Sequence, residues 1–249
     1  MKESIEIWDK IADWWDKTTL EGDCFHKELI HPNIDKLLDI KENELVLDIG
    51  CDNGVLIRKI VSQGARAVGS DCASKFIQIA QDNATDLKIQ NRVEYYVIDA
   101  ANEKELDKLN KFFFDSAICS MVLQDVSIAK TLKNIIKKKG KFVFAIPHPC
   151  FNGKVSFLSE ERNIDNEWRT EYSIKISSYD SEIFEKEKGK PNQPIPHFNF
   201  HRPLSNILAP FLENGFFLDS MIEPVTEKNI GQKVWSEIPP VIVGRFICV

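Results

Sequence analysis

The run Leu45-Val46-Leu47-Asp48-Ile49, followed by Gly50-Cys51-Asp52-Asn53-Gly54, constrains the fold of this chain more than any other stretch. Strand-forming, mostly apolar residues lead into an acid and a turn with two glycines. Val55-Leu56-Ile57-Arg58-Lys59-Ile60 then resumes at once with helical apolar spacing. A strand that feeds a helix through so tight a turn leaves backbone N–H groups free, and glycines let a ligand approach the main chain. The turn therefore predicts an α/β sheet with a small polar or anionic cofactor at its edge. A dinucleotide fingerprint begun at Gly50 would need glycines where Asp52 and Val55 stand. A nicotinamide-dependent oxidoreductase thus fails at two of its three glycines and is kept only as an alternative.

With 249 residues the chain has room for one large α/β domain or for a domain with an insertion. Its 43% hydrophobic and 28% charged residues are those of an ordinary globular protein, and a net charge of −6 argues against a nucleic-acid partner held by bulk electrostatics. The run Lys137-Lys138-Lys139 reads as a solvated helix end, where cations suit the carbonyl dipole. Met1-Lys2-Glu3-Ser4-Ile5-Glu6 has no apolar signal core, and no stretch approaches the roughly 20 apolar residues that cross a bilayer. A cytoplasmic protein without a membrane partner is expected. Six cysteines without a Cys-x-x-Cys pair read as reduced thiols that act as small hydrophobes.

Apolar spacing predicts a helix over 4–17, carrying Trp8, Trp14 and Trp15, and a second over 26–38, broken early by Pro32. Strands over 44–49, 65–70, 93–98, 112–119 and 140–146 then alternate with helices, among them 74–83 and 128–137. Such alternation requires a parallel sheet with helices on both faces. From 147 to 203 it stops. Trp168, Thr170, Tyr172, Ile174 and Ile176 alternate with polar residues, which predicts a strand with one covered face. If 195–201 is extended, His197, Asn199 and His201 share one face and Phe198 and Phe200 the other. A helix over 204–214 and strands over 216–223 and 241–249 complete the chain. The expected architecture is a Rossmann-like, seven-stranded, mostly parallel sheet with helices on both faces. Residues 1–40 form a helical lid, 41–249 the main domain, and 150–200 an insertion after strand five that covers the ligand edge.

Asp71 lies about 20 residues beyond the glycine turn, at the end of strand two, where a carboxylate can accept from two adjacent ribose hydroxyls. It is also placed to cap the helix over 74–83, and the two readings are compatible. Asp99 closes strand three in Tyr96-Val97-Ile98-Asp99-Ala100, a third acid at the same sheet edge.

Asp48, Gly50 and Gly54 resemble the acid-x-Gly-x-Gly-x-Gly first motif of class I S-adenosylmethionine-dependent methyltransferases, with Asp52 in place of the middle glycine. Phe114 to Val126 is similar to that family's fourth strand and following loop. Leu132 to Ile146, with Lys139-Gly140-Lys141 between helix and strand, is similar to its next helix, turn and strand. His148-Pro149-Cys150-Phe151 and Phe200-His201-Arg202-Pro203-Leu204 resemble segments of a small-molecule branch of the class. The likeness covers about 44–249 and is specific in motif order. It implies an enzyme that moves the methyl group of S-adenosyl-L-methionine to a small organic acceptor. By it, Asp48, Gly50 and Gly54 hold the amino-acid end of the cofactor, Asp71 the ribose, and Asp99 with Ala100 the adenine. Ser120 and Met121 border the methionine, and Cys51, Asp52 and Cys72 complete the cofactor set.

The tryptophans of the first helix either pack it onto the domain or, through Trp8 and Trp15, shape an acceptor pocket beneath a lid. His197 and His201 are candidate acceptor contacts. His148, just past strand five, is the candidate general base; a histidine at such a turn also hydrogen-bonds backbone readily. His148, Cys150, His197 and His201 could be combined into a zinc site, but Pro194, Pro196 and Pro203 oppose the helix that His-x-x-x-His ligation needs, so no metal is expected. Asp52 motivates one more alternative, a protein that binds the cofactor without turnover.

Overall fold

The computed structural model describes residues 2–227 and 233–249. The chain opens with α1 (Lys2–Thr19), a π-helical stretch (His26–Ile30) and α2 (His31–Leu38). It continues through β1 (Leu45–Ile49), α3 (Val55–Ser62), β2 (Arg66–Asp71), α4 (Ser74–Asp86), β3 (Val93–Val97), α5 (Glu103–Leu106), β4 (Phe114–Ser120), α6 (Ala129–Ile135) and β5 (Ile136–Pro147). Two hairpins follow, β6 (Val155–Ile164) with β7 (Glu167–Ile176), and β8 (Ile183–Glu187) with β9 (His197–His201). Last come α7 (Leu204–Glu213), β10 (Phe216–Ile222) and β11 (Val241–Cys248).

The main sheet has seven strands in the order β10-β11-β5-β4-β1-β2-β3. β1 to β5 pair in parallel, and only β11 runs against its neighbours. This is the Rossmann-like, mostly parallel sheet expected from the sequence, with the extra antiparallel hairpins following strand five.

Both faces of the sheet are buried, which is why its central strands are almost continuously apolar. Along β5, Phe142, Phe144 and Ile146 enter one core with Leu132 of α6 and Phe211 of α7, while Val143 and Ala145 enter the opposite core with Ile34 of α2 and Ile57 of α3. A period of two thus divides one strand between two cores. The first core is built on phenylalanine: Phe211 stacks on Phe142 and on Phe246, each with ring centroids 4.9 Å apart.

Three local expectations differ from the structure. Pro32 does not break its helix, because it stands in the first turn of α2, where a missing N–H removes no helical bond. The lysine run is not a helix end. α6 stops at Ile135, and Lys137 opens β5 beside Asp115, 2.6 Å away. Lys139 takes a positive φ of 65° there, and pairing with β4 shifts register across the bulge. Finally, β7 has no covered face: Trp168 and Tyr172 share one side of the ribbon yet are 69% and 42% exposed. Alternation reported an amphipathic strand correctly, but carried no information on what lies beside it. Among the described residues no helix is long and apolar enough to cross a membrane.

Phe246 is fully buried among four other phenylalanines. Phe246→Ala is expected to destabilise the fold by about 3–5 kcal/mol in urea unfolding. A loss below about 1 kcal/mol would contradict this account of the core.

Candidate active site

Parallel pairing fixes where the strand-end acids fall. Asp48 lies opposite Gly69, and Asp71 opposite Val97, so β1, β2 and β3 end in step along one edge. The turn after β1 is anchored there, since the amides of Gly50 and Cys51 both donate to the Ser70 carbonyl, at 2.7 and 3.0 Å. Gly50 has a φ of +73°, and a Cβ added to it would stand 2.4 Å from Val122 Cγ2. Only glycine fits between this turn and the loop after β4. Asp52 sits at φ +50°, a left-handed conformation that an acid tolerates better than most residues.

One cavity of about 500 Å³ opens at this edge. Of the residues expected to hold a cofactor, all except Gly54 line it, and the acids Asp48, Asp71 and Asp99 meet on its wall. Gly54 instead begins α3 and packs against the Tyr95 hydroxyl and Ala80. Asp71 does not cap α4, whose N-cap Ala73 has no side-chain cap hydrogen bond, but it holds the adjoining turns. Its Oδ1 accepts from the Ala73 amide at 2.9 Å and its Oδ2 from the Asp52 amide at 3.1 Å, and each oxygen keeps a further lone pair for a ligand. Asp99 Oδ1 accepts from the Ala101 amide at 3.0 Å.

The wall is short of positive charge. Asp48 is 1% exposed, and neither of its carboxyl oxygens has a hydrogen-bond partner. Burial, then the charges of Asp71 and Asp52, push its pKa up to about 8. Burial and the charge of Asp71 raise Asp52 to about 7. Burial also raises Asp71 to about 6, even though backbone amides donate to it.

The opposite wall is aromatic. Trp8 and Trp15 of α1 meet edge to face with centroids 5.1 Å apart, and the His197 ring lies 4.9 Å from Trp8 and 5.8 Å from Trp15. All three line the cavity, as do Phe198 and Phe200 of β9. The tryptophans therefore pack α1 onto the domain and face the cavity at once. Lys190 of the insertion stands 4.8 Å above the Trp15 ring and donates to Thr19 Oγ1 at 2.8 Å.

The structure does not bring His148 or His201 to the cavity wall. His148 is buried behind it, with Nε2 2.7 Å from Glu223 Oε1 and Nδ1 accepting from the Cys150 amide. With both ring nitrogens engaged, it is the turn histidine that the sequence also allowed. His201 is 4% exposed and pairs through Nε2 with the Tyr179 carbonyl at 2.7 Å. Among the cavity residues that escaped the sequence reading are Asp23, His26, Gln124 and Asp125. Asp125 is raised to about 8 by burial, and its Oδ1 has no partner. For Asp23 and His26 a signal existed. An acid three residues before a histidine at a helix start marks an N-cap, and Asp23 Oδ1 does accept the His26 amide at 3.2 Å.

Residues 46–140 match the family model described as a methyltransferase domain. A curated relative, the ubiquinone biosynthesis O-methyltransferase of Glaesserella parasuis, is 28% identical over 149 residues, which is 56% of this chain and 61% of that protein. The chain thus spans about three fifths of the length of that relative. A solved S-adenosylmethionine-dependent methyltransferase from Mesorhizobium loti superposes with a TM-score of 0.64 at 20% identity, covering 87% of this chain and 96% of that one. The glycopeptide N-methyltransferase MtfA, solved with S-adenosyl-L-methionine, superposes with a TM-score of 0.57 at 8% identity over 88% of this chain and 92% of its own. Residues 46–140 thus match a methyltransferase domain, and the chain has the fold of solved S-adenosylmethionine-dependent methyltransferases.

Asp48 is neutral in the folded protein up to about pH 8 and ionised in the unfolded chain above about pH 4. The unfolded state therefore binds fewer protons between these values, and stability falls as pH rises through that window. Asp48→Asn is expected to flatten the fall, leaving the variant better than the native protein by about 1 kcal/mol or more at pH 8 relative to pH 5. Parallel stability profiles for the two proteins in urea would contradict the burial argument.

Proposed function

We propose that the protein binds S-adenosyl-L-methionine in this cavity and transfers its methyl group to a small organic acceptor. The observation that carries the reading is the set of buried carboxyl oxygens without a hydrogen-bond partner among the described residues, both of Asp48 and one of Asp52. A ligand that brings its own positive charge, as this cofactor does through its ammonium and sulfonium groups, relieves that deficit. Gly50 and its neighbours would hold the amino-acid end beside Asp48, Asp71 the ribose, and Asp99 with the Ala100 amide the adenine. When bound, the cofactor supplies a methyl carbon open to in-line attack.

The chain's own work is then to align an acceptor and keep water out. α1 and the β8–β9 hairpin bring Trp8, Trp15, His197 and Phe200 over the cavity, an apolar cover for a small molecule. The relatives named as O-methyltransferases support a small acceptor, and the cofactor solved in MtfA supports the ligand. Asp52, buried within the turn, is what favours the second reading, a protein that binds the cofactor without turnover.

Isothermal titration with S-adenosylhomocysteine is expected to give saturable binding, weakened about tenfold in Asp99→Ala by loss of one charge-assisted hydrogen bond. Absence of heat and of competition with the methyl donor would sink the cofactor reading. Transfer of labelled methyl to small molecules of a deproteinised extract is also expected. Binding without any transfer would favour the second reading.

A further inference from the structure

Asp23 and His26 line the cavity at the start of the helical segment that leads into α2. Asp23 Oδ1 accepts the His26 amide at 3.2 Å and lies 2.7 Å from ring Nδ1, so one carboxylate oxygen fixes both the backbone and the ring. Its other oxygen lies 3.4 Å from Lys190 Nζ. Burial alone would raise the Asp23 carboxyl. Hydrogen bonds from the His26 ring and amide, with the charge of Lys190, oppose it and hold the group well below the usual carboxylate range. An ionised carboxylate can only accept, so Nδ1 carries the proton and the lone pair of the neutral ring sits on Nε2. Nε2 makes no hydrogen bond among the described residues. The neighbouring His31 ring, 5.7 Å away, is pushed down to about 4 by burial and then by the charge of Lys59, and so stays neutral.

We propose that His26 is the general base of the methyl transfer, positioned by Asp23, and that the acceptor atom is the oxygen of a hydroxyl group. This rests on the cofactor reading of the preceding subsection. A neutral amine already has a lone pair for attack, whereas a hydroxyl is a poor nucleophile until its proton leaves. A histidine held in one tautomer by an ionised carboxylate serves the second need and is superfluous for the first. In the step, the acceptor O–H bond breaks, the proton joins His26 Nε2, and both electrons stay on oxygen. The oxygen gives that pair to the methyl carbon while the pair of the carbon–sulfur bond withdraws to sulfur, which becomes neutral. The imidazolium, stabilised beside Asp23, then returns the proton to water.

The test begins with the native protein saturated with S-adenosylhomocysteine and labelled with ¹⁵N at histidine. His26 is expected to show a proton on Nδ1 and a bare Nε2. Asp23→Asn, which keeps a good N-cap, is expected to move the ring toward the Nε2–H tautomer. Methyl-labelled S-adenosyl-L-methionine is then offered with a panel of phenols and catechols and, separately, a panel of primary and secondary amines. Transfer to a hydroxyl is expected, with kcat lowered about 10²- to 10⁴-fold in His26→Asn and S-adenosylhomocysteine affinity unchanged. Four results overturn the proposal: a native Nε2–H tautomer, a tautomer unmoved by Asp23→Asn, an undiminished rate in His26→Asn, or transfer confined to amines or absent from both panels while S-adenosylhomocysteine binds. Failure of the native protein to bind S-adenosylhomocysteine overturns the cofactor reading instead.

Discussion

Burying a carboxyl away from water without a partner is costly, and this chain does it more than once along a single sheet edge. The cost follows from register. A parallel sheet whose first strands end in step must deliver Asp48, Asp52 and Asp71 to one place, and Asp48 is only 1% exposed where it lines the cavity. Buried there and close to one another, these carboxyls hold protons, Asp48 most strongly. The same electrostatic deficit makes the cavity selective for a ligand that is positive where it meets the turn and rich in hydroxyl and amine donors farther along.

The cover over that edge is built differently from the sheet. α1 buries Ile7, Ile11 and Ala12 and sets Trp8 and Trp15 against Phe76 of α4. Its polar side is indexed to the domain by several contacts. Asp9 accepts from the Lys75 amide at 2.9 Å, Asp16 accepts from Asn53 of the glycine turn at 2.7 Å, and Glu3 pairs with Lys186 of β8 at 2.6 Å. The exposed Glu3–Lys186 pair is screened by solvent, so it sets the placement of the helix more than its stability. Because Asn53 also accepts from the Val55 amide, the turn that faces the cavity and the helix that covers it share one side chain.

The sheet was legible in the sequence because its signals are local. Period-two burial, the glycine turn and strand-to-helix alternation each lie within about ten residues of chain, and they located β1 to β5 to within a few residues. The acids were legible for the same reason, since a strand end is a sequence feature. What could not be read were properties of the surroundings. Trp168 and Tyr172 alternate like residues of a covered strand, but nothing in their own segment says that the covering is missing. His148 has the right residue type and position past β5, yet its nearest carboxylate, Glu223, lies 75 residues farther along and draws it away from the cavity. His26 stood in view beside its capping acid and was overlooked because its ring faces a cavity that only the tertiary fold creates.

The central claim is electrostatic: burial and mutual repulsion make the carboxyls on the cavity wall hold protons, and a cationic ligand displaces those protons. Calorimetric binding of S-adenosyl-L-methionine at pH 7, repeated in buffers of different ionisation enthalpy, measures this directly. The account expects net proton release on the order of one per ligand bound, seen as a heat that changes with the buffer. A heat that does not change with the buffer, or net proton uptake, would contradict it.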